Sequence, residues 1–400
     1  MKEPKIRFKG FSGEWEETPF SETFDSLKNN SLSRAELSDS GEVMNIHYGD
    51  VLIKYGECVD VIKEVETFVK DEEVAKKLHQ SCAIKNGDVI FADAAEDNTV
   101  GKCSEVIANK NDAIVSGLHT IACRPKKDFA PMYLGYYLNS NAYHDQLLPH
   151  IQGTKISSIS KKAISQTEIS SPIDKNEQQS VASYFHHLDV LIQSTTKKIE
   201  SLKQVKAASL QSMFPQEGET TPRVRFKGFE GEWEETTIGK VTSVKRGIRV
   251  TRKNLSDHGL YPVYQNTDYP MGYYNRYNVE SNNPFVIIGG SAGLIGFCDK
   301  DFWAADDCAY FCDSVKLDKS YLYRMLLNKN SEIKKNVRGS SVPRLDRQVI
   351  NDLNIVLPSI AEQRAIASYF TNLDRQITLQ SQRLEKLKQI KAACLDNMFV

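Results

Sequence analysis

Residues 7–17 read RFKGFSGEWEE, and residues 225–235 repeat this stretch 218 positions later with one substitution. Residues 182–214 also return, as residues 367–399, but at a shift of 185. The segments between these shared flanks therefore differ in length by 33 residues. A period this long indicates duplicated domains, because solenoid repeats are only roughly 20–50 residues long. The chain consists of two copies of one unit, with matching ends and divergent middles.

Two long helices are predicted at residues 177–214 and 362–399. Neither segment contains proline or glycine, and apolar side chains recur mostly three or four positions apart, which is typical of a helix with one apolar stripe. A helix of this length measures roughly 57 Å at 1.5 Å per residue and exceeds the size of either domain. Capping boxes are predicted at the two starts, formed by Asp174 with Glu177 and by Ser359 with Glu362.

Each apolar stripe needs a partner, and the matching stripe lies on the other helix. The simplest arrangement is an antiparallel coiled coil, because each helix follows one globular domain and the chain must return. The predicted seam consists of Leu188, Ile192, Ile199, Leu202, Leu373, Ile377, Leu384 and Leu387.

Strand-like runs bounded by glycine turns fill both middles, and a tyrosine-rich helix follows in each, near residues 132–147 and 321–335. The predicted fold class is mixed α/β, with two globular domains joined by two long helices in a pseudo-twofold internal repeat. The predicted strands include residues 50–53, 88–91, 113–115, 284–288 and 309–311. The predicted boundaries are 1–172 for the first domain, 173–214 for the first helix, 215–221 for a linker, 222–358 for the second domain and 359–400 for the second helix.

The overall charge is balanced, with 51 Lys and Arg against 52 Asp and Glu. The two middles nevertheless differ, since residues 18–168 hold 16 basic and 22 acidic side chains whereas residues 239–350 hold 17 and 11. A protein that bound nucleic acid alone by neutralising phosphates should be more basic. If DNA is the ligand, we expect a partner subunit to supply part of the positive surface.

Eight cysteines are scattered without a CxxC pair, which argues against a zinc site and against a disulfide framework. We therefore expect no metal, and reduced thiols in a cytoplasmic protein. The start of the sequence does not resemble a signal peptide. The longest apolar run, residues 285–297, is short and interrupted by glycines, so no membrane association is expected.

Three sets of residues, taken together, resemble the specificity subunit of type I restriction–modification systems. They are the RFKGF-x-GEWEE openings, the closing loops at residues 153–156 (Gly-Thr-Lys-Ile) and 339–342 (Gly-Ser-Ser-Val), and the Glu-Gln helix starts at 177–178 and 362–363. The resemblance covers essentially the whole chain. It rests on the order of the elements, which is variable domain, long helix, variable domain and long helix.

The resemblance implies that residues 1–172 and 222–358 are target-recognition domains, each reading one half of a split, asymmetric site in double-stranded DNA. It also implies that the paired helices set the distance between the half-sites and dock two adenine methyltransferase subunits. The complete complex adds ATP-driven restriction and translocase subunits. The chain is then a non-catalytic subunit without a cofactor of its own. S-adenosylmethionine belongs to the methyltransferase partner, and ATP with Mg belongs to the restriction partner.

Candidate DNA contacts lie in three places. The most basic window is residues 245–253, where arginine can pair bidentately with guanine. Tyrosines of the second middle can stack on a displaced base, although packing is the commoner role of strand tyrosines. The closing loops can bind phosphate. The candidate residues are Lys245, Arg246, Arg249, Arg252, Lys253, Tyr273, Tyr274, Arg338, Ser340, Arg344, Thr154 and Lys155.

Two other functions stay open at this point, a DNA adenine methyltransferase-like enzyme and a coiled-coil scaffold that does not read DNA. Residues 282–285 (Asn-Asn-Pro-Phe) look superficially like a methyltransferase catalytic loop, and residues 289–293 look like a cofactor loop. We interpret them as a turn and a buried strand, because the first copy lacks an Asn-Asn-Pro-Phe equivalent, and predict no catalytic residue. Trp15 and Trp233 have identical surroundings and are interpreted as core anchors rather than as methyltransferase contacts.

Overall fold

The computed structural model describes residues 3–153 and 155–400. The chain divides into two compact units. Unit 1 consists of residues 1–195 and 383–400, and unit 2 consists of residues 196–382. Each unit therefore combines one globular part with segments of both long helices. The domain boundaries predicted at residues 172 and 358 stay a prediction.

Unit 1 contains a mixed set of short strands and helices before the first long helix. Its strands are β1 (Glu16–Pro19), β2 (Phe24–Ser26), β3 (Leu37–Ser38), β4 (Met44–Ile46), β5 (Cys58–Asp60), β6 (Phe68–Val69), β7 (Val89–Ala92), β8 (Ala94–Ala95), β9 (Cys103–Ile107), β10 (Ile114–Ser116), β11 (Thr120–Pro125), β12 (Ser157–Ser158) and β13 (Glu168–Ser171). Its helices are α1 (Phe20–Thr23), α2 (Tyr48–Ile53), α3 (Val61–Glu64), α4 (Glu72–Cys82), α5 (Tyr133–Leu138), α6 (Asn141–His144), α7 (Lys161–Ile164) and α8 (Lys175–Ser212), the last of which continues into unit 2.

Unit 2 has the same kind of content. Its strands are β14 (Glu234–Thr237), β15 (Val244–Arg246), β16 (Tyr261–Tyr264), β17 (Tyr273–Tyr274), β18 (Asn283–Ile287), β19 (Ile295–Cys298), β20 (Trp303–Ala304), β21 (Cys308–Phe311) and β22 (Asn354–Leu357). Its helices are α9 (Ile238–Val241), α10 (Lys319–Asn328), α11 (Asn330–Lys335), α12 (Arg347–Asn351) and α13 (Ile360–Asn397), the last of which continues into unit 1.

A central sheet with the same order of four strands recurs in both units, although the middles share little sequence, and unit 1 adds β5 as a fifth, parallel strand. The strand order is β2-β11-β7-β9-β5 in unit 1 and β15-β21-β18-β19 in unit 2. Strands β11 and β7 pair antiparallel, as do β21 and β18. Differences lie in the second layer, where unit 1 has the sheet β10-β4-β6-β3 and unit 2 has β17-β16-β20. The predicted mixed α/β fold of two duplicated domains is confirmed.

A buried aromatic cluster forms the centre of each unit. In unit 1, Phe399 packs against Trp15, Tyr133, Tyr137 and Phe185, with ring centroids 5.6–6.3 Å apart. In unit 2, Phe214 packs in the same way against Trp233, Tyr321 and Phe370, at 5.6–6.5 Å. Both tryptophans are almost fully buried, in agreement with their interpretation as core anchors.

The sequence predicts a strand at residues 50–53, and this prediction is wrong. These residues belong to α2, whose start is capped by the His47 ring nitrogen, which accepts a hydrogen bond from the Gly49 amide at 3.2 Å. Val51 is buried whereas Ile53 is 89% exposed, so the apolar run does not mark a buried strand. The predicted strands at 88–91, 113–115, 284–288 and 309–311 correspond to β7, β10, β18 and β21.

Candidate DNA interface

The two long helices begin at a joint that occurs in both units. Arg7 donates two hydrogen bonds to the Glu177 carboxylate at 2.7 and 2.9 Å, and Arg225 does the same to Glu362 at 2.7 and 2.8 Å. Both carboxylates are almost fully buried, and the hydrogen bond from each arginine raises its own pKa. The predicted capping boxes are confirmed only in part. The Asp174 and Ser359 side chains cap the helices, accepting from the Asn176 amide at 2.8 Å and from the Glu362 amide at 3.3 Å. The glutamates do not complete the boxes, because each binds an arginine of the opening stretch.

A glutamine next to each glutamate completes this joint, and sequence reasoning gave it no role. Gln178 donates to the Pro172 carbonyl at 2.8 Å and accepts from the Ala130 amide at 3.0 Å. Gln363 donates to the Pro358 carbonyl at 3.0 Å and accepts from the Asp318 amide at 2.9 Å. The repeated Glu-Gln pair was the available signal, and it marks a structural contact of the shared frame.

The helix segments contact each other in antiparallel order inside each unit. In unit 1, Asp189 pairs with Lys391 at 2.6 Å, whereas in unit 2 Lys206 pairs with Asp374 at 2.5 Å. All eight residues of the predicted seam are buried or half-buried. The coiled coil itself stays a prediction.

The basic window begins on the central sheet of unit 2 and leaves it as a loop. Lys245 and Arg246 lie at the end of β15 and are exposed. The loop then stays close to the sheet, because a Cβ atom at Gly247 would lie 2.2 Å from the Ala305 carbonyl oxygen. Farther on, the exposed Arg249 is followed by Arg252 and Lys253 in a short 3-10 turn at Arg252–Asn254.

The predicted closing loop of unit 2 is a tight hairpin. Arg338 and Arg344 exchange two backbone hydrogen bonds of 2.8 Å, and Ser340 lies at the exposed tip between them. Gly339 has a φ of +87°, which favours glycine. The hairpin is held against the sheet by the Leu345 amide, which donates to the Ile288 carbonyl at 3.0 Å.

Unit 1 contains the same hairpin at the equivalent positions. Gln152 and Ser158 exchange backbone hydrogen bonds of 3.0 and 2.7 Å, and Gly153 has a φ of +104°. Lys155 is exposed at the tip, whereas Thr154 lies outside the described residues.

Two of the candidate arginines converge on residues 306 and 307 of unit 2. The Arg246 side chain donates to the Asp306 carbonyl at 2.5 Å, and Arg344 forms an ion pair with Asp307 at 3.2 Å. Arg338 joins this group through its backbone pairing with Arg344. Arg249, Arg252 and Lys253 lie farther along the loop, so the structure brings together only part of the predicted set.

The predicted tyrosines have mainly a packing role. Tyr273 and Tyr274 form β17, are half-buried and pair with β16. The Tyr274 ring meets the Trp303 ring edge-on at 5.1 Å, and the Trp303 indole donates to the Ile248 carbonyl at 2.8 Å. Tyr274 therefore packs on the tryptophan that binds the basic loop.

The methyltransferase-like stretch of unit 2 is part of the sheet. Asn283, Pro284 and Phe285 are buried in β18, and the Asn283 amide donates to the Phe311 carbonyl at 3.0 Å. A Cβ atom at Gly289 would lie 2.3 Å from an Asp307 carboxylate oxygen. The glycine is therefore required by close packing within the protein, in agreement with the interpretation as a turn and a buried strand.

Among residues 3–153 and 155–400, no cluster of His, Cys, Asp and Glu side chains is arranged to hold a metal ion. In the same described part of the chain, no helix combines the length and apolar character needed to cross a membrane. The eight cysteines are free thiols.

The two units thus share one α/β frame and carry different polar side chains at its edge. A family model described as the type I restriction modification DNA specificity domain matches residues 12–204 and 230–389. The chain belongs to this family.

Individual relatives agree with that assignment. A putative type I specificity subunit of Mycoplasma pneumoniae is 24% identical over 45% of this chain and 48% of its own length. The specificity subunit of the type I restriction enzyme MjaVIII of Methanocaldococcus jannaschii is 22% identical over 65% of this chain and 67% of its own length. The chain thus spans about half the length of the first relative. The crystal structure of a type I restriction–modification S subunit from M. genitalium has the same fold, with a TM-score of 0.65 at 15% identity over 100% of this chain and 99% of that one.

Proposed function

We propose that the chain is the DNA-reading, non-catalytic subunit of a type I restriction–modification complex, and that each unit reads one half of a split DNA site. One observation carries this proposal. Both units have the same central sheet and closing hairpin, yet they present different charged side chains where the two meet. An asymmetric split site needs two readers that differ in this way, since base edges are distinguished by the pattern of donors and acceptors offered to them.

The family assignment supports a proposal about the partners. We propose that two methyltransferase subunits dock on α8 and α13 and that restriction and translocase subunits join them. S-adenosylmethionine and ATP with Mg would then be bound by those partners. The balanced charge of this chain supports the need for a partner's positive surface. The complex would act in the cytoplasm, where DNA is present and the eight thiols stay reduced.

The test is to express the chain with its methyltransferase subunits in a host lacking adenine methylation and to map methylated adenines by long-read sequencing. A single new split motif is the expected result. An unchanged methylome would contradict the proposal and favour a scaffold that does not read DNA. The methyltransferase-like alternative has less support, because the relatives named above are specificity subunits.

A second experiment tests the spacer role of the helices. One heptad inserted at matching levels of α8 and α13 lengthens each helix by roughly 10 Å, or about three base pairs at 3.4 Å per pair. We expect the spacer of the methylated motif to grow by about that number while both half-sites stay unchanged. Altered half-sites with the original spacer would contradict the spacer role.

A further inference from the structure

The place where the central sheet meets the closing hairpin has the same backbone in both units. We call this place the edge junction and define it by residues 93, 119 and 158 in unit 1 and by residues 288, 307 and 344 in unit 2. The amide of residue 93 donates to the carbonyl of residue 119 at 3.1 Å, and the amide of residue 288 donates to the carbonyl of residue 307 at 2.8 Å. The hairpin then binds the carbonyls of residues 93 and 288 through the next amide, at 2.9 and 3.0 Å.

Different side chains occupy this common backbone. In unit 1, the His119 ring nitrogen lies 3.1 Å from the Asp93 carboxylate, and the hairpin contributes Ser158. In unit 2, Arg344 of the hairpin lies 3.2 Å from the Asp307 carboxylate. Each junction thus holds one carboxylate beside one nitrogen donor. The carboxylate occupies different positions, because Asp93 corresponds to residue 288 whereas Asp307 corresponds to residue 119. Since the backbone bonds are the same in both units, the frame does not depend on either pair.

The nitrogen donor of each pair is accessible from solvent. The side chains of His119 and Arg344 are 52% and 61% exposed, whereas those of their partners Asp93 and Asp307 are only 28% and 20% exposed. His119 has a φ of +55°, a conformation that is uncommon for residues other than glycine and that tends to occur at functional sites. The carboxylate therefore orients the donor, and the donor projects outward.

Polar groups extend each junction. In unit 1, a cleft of about 440 Å³ beside His119 and Asp93 is lined also by the exposed Asn29 and Ser31. Asn30 lines it too, but its buried amide is bound to Asn45 and to the Ser116 carbonyl. Asparagine side chains can pair with adenine, and carboxylates can accept from cytosine. In unit 2, Arg246 binds the carbonyl of residue 306, which directly precedes Asp307 in the sequence, and arginine pairs with guanine.

Resting on the proposed function, we propose that the two edge junctions contact the base edges of the two half-sites. Asp93 and His119 then determine specificity in one half, and Asp307 and Arg344 determine it in the other.

The test uses the full chain in complex with its methyltransferase subunits and reads the methylated motif. Unit 1 carries His119→Ala or Asp93→Asn, and unit 2 carries Arg344→Ala or Asp307→Asn. We expect each unit 1 variant to relax the base preference at one or two positions of a single half-site by roughly tenfold, as for the loss of one good base contact. The unit 2 variants should relax the other half-site to a similar extent. Matched exposed controls, Lys63→Ala in unit 1 and Lys300→Ala in unit 2, should leave the motif unchanged.

Three results would overturn the inference while leaving the proposed function in place. They are an unchanged motif in all four variants, a uniform loss of methylation with an unchanged motif, and relaxation of the same half-site by both pairs. A wild-type complex without any split motif would overturn the proposed function and this inference together. If His119→Ala fails to fold, His119→Asn tests the same position, because asparagine tolerates a positive φ.

Discussion

Replacing Phe399 with alanine should destabilise unit 1, because this ring lies at the centre of its aromatic cluster. The side chain is 4% exposed and contacts the rings of Trp15, Tyr133, Tyr137 and Phe185. Truncation of a buried phenylalanine costs about 3–5 kcal/mol, since the lost burial is accompanied by a cavity. For a unit of about 200 residues this lowers the melting temperature by about 6–20 °C.

Calorimetry measures the loss, and hydrogen–deuterium exchange locates it. We expect faster exchange in β7 and α5 of unit 1 for Phe399→Ala, and in β18 and α10 of unit 2 for the matched Phe214→Ala. Val190→Ala and Leu379→Ala are controls on exposed helix positions, where truncation should change stability by less than about 0.5 kcal/mol.

A loss for Phe399→Ala no larger than that of its exposed control would refute the reasoning. So would increased exchange confined to unit 2. Either result would mean that the segment following α13 does not complete the core of unit 1.

Two further predictions concern buried charges. Lys391→Met should destabilise unit 1 more than Lys206→Met destabilises unit 2. Lys391 bridges the carboxylates of Glu57 and Asp189, and its loss leaves both without this partner, whereas Asp374, the partner of Lys206, keeps its 2.6 Å pair with Arg324. Chemical denaturation measures the two losses, and equal losses would contradict this prediction. Burial raises the pKa of Glu105 from 4.5 to about 7, against the opposing effect of backbone amides, so the folded state binds the proton more tightly than the unfolded state. The free energy of unfolding should therefore rise as the pH falls from about 8 through 7, and this group should contribute up to about 3 kcal/mol near pH 4.5. Urea melts at several pH values measure the profile, and Glu105→Gln should flatten this part of it. A profile that the variant leaves unchanged would refute the raised pKa of Glu105.

The duplicated flanks could be predicted from the sequence because they are local and repeated. The two long helices follow from periodicity alone, and α8 and α13 start only two residues before the predicted positions. Both starts directly follow the predicted cap residues Asp174 and Ser359. The capping rule fails only for Glu177 and Glu362, which bind arginines far away in the sequence. A local capping rule cannot anticipate such a competing partner.

The shared sheet and the edge junctions could not be predicted in the same way. Sheet pairing joins residues that are far apart in the sequence, and a short apolar run does not indicate which strand it pairs with. Such a run does not even separate a strand from a helix, as the wrong prediction for residues 50–53 shows. The basic window was visible as a cluster of charges in the sequence, but the ion pair of Arg344 with Asp307 joins residues 37 positions apart. Asp93 and His119 lie 26 positions apart and belong to no motif, so only the folded sheet reveals them as a pair.

The contacts that hold the frame explain how the two middles can diverge. Gln178 and Gln363 bind backbone groups only, at the end of a strand and before a helix. Every residue except proline offers the same backbone donor and acceptor, so these contacts restrict the side chains of the middles very little. The hairpins are likewise fixed by main-chain bonds and a glycine. A frame held in this way permits Asp93 and His119 in one copy and Asp307 and Arg344 in the other without loss of the fold. Because the frame does not depend on these side chains, one duplicated scaffold can carry two different edge junctions.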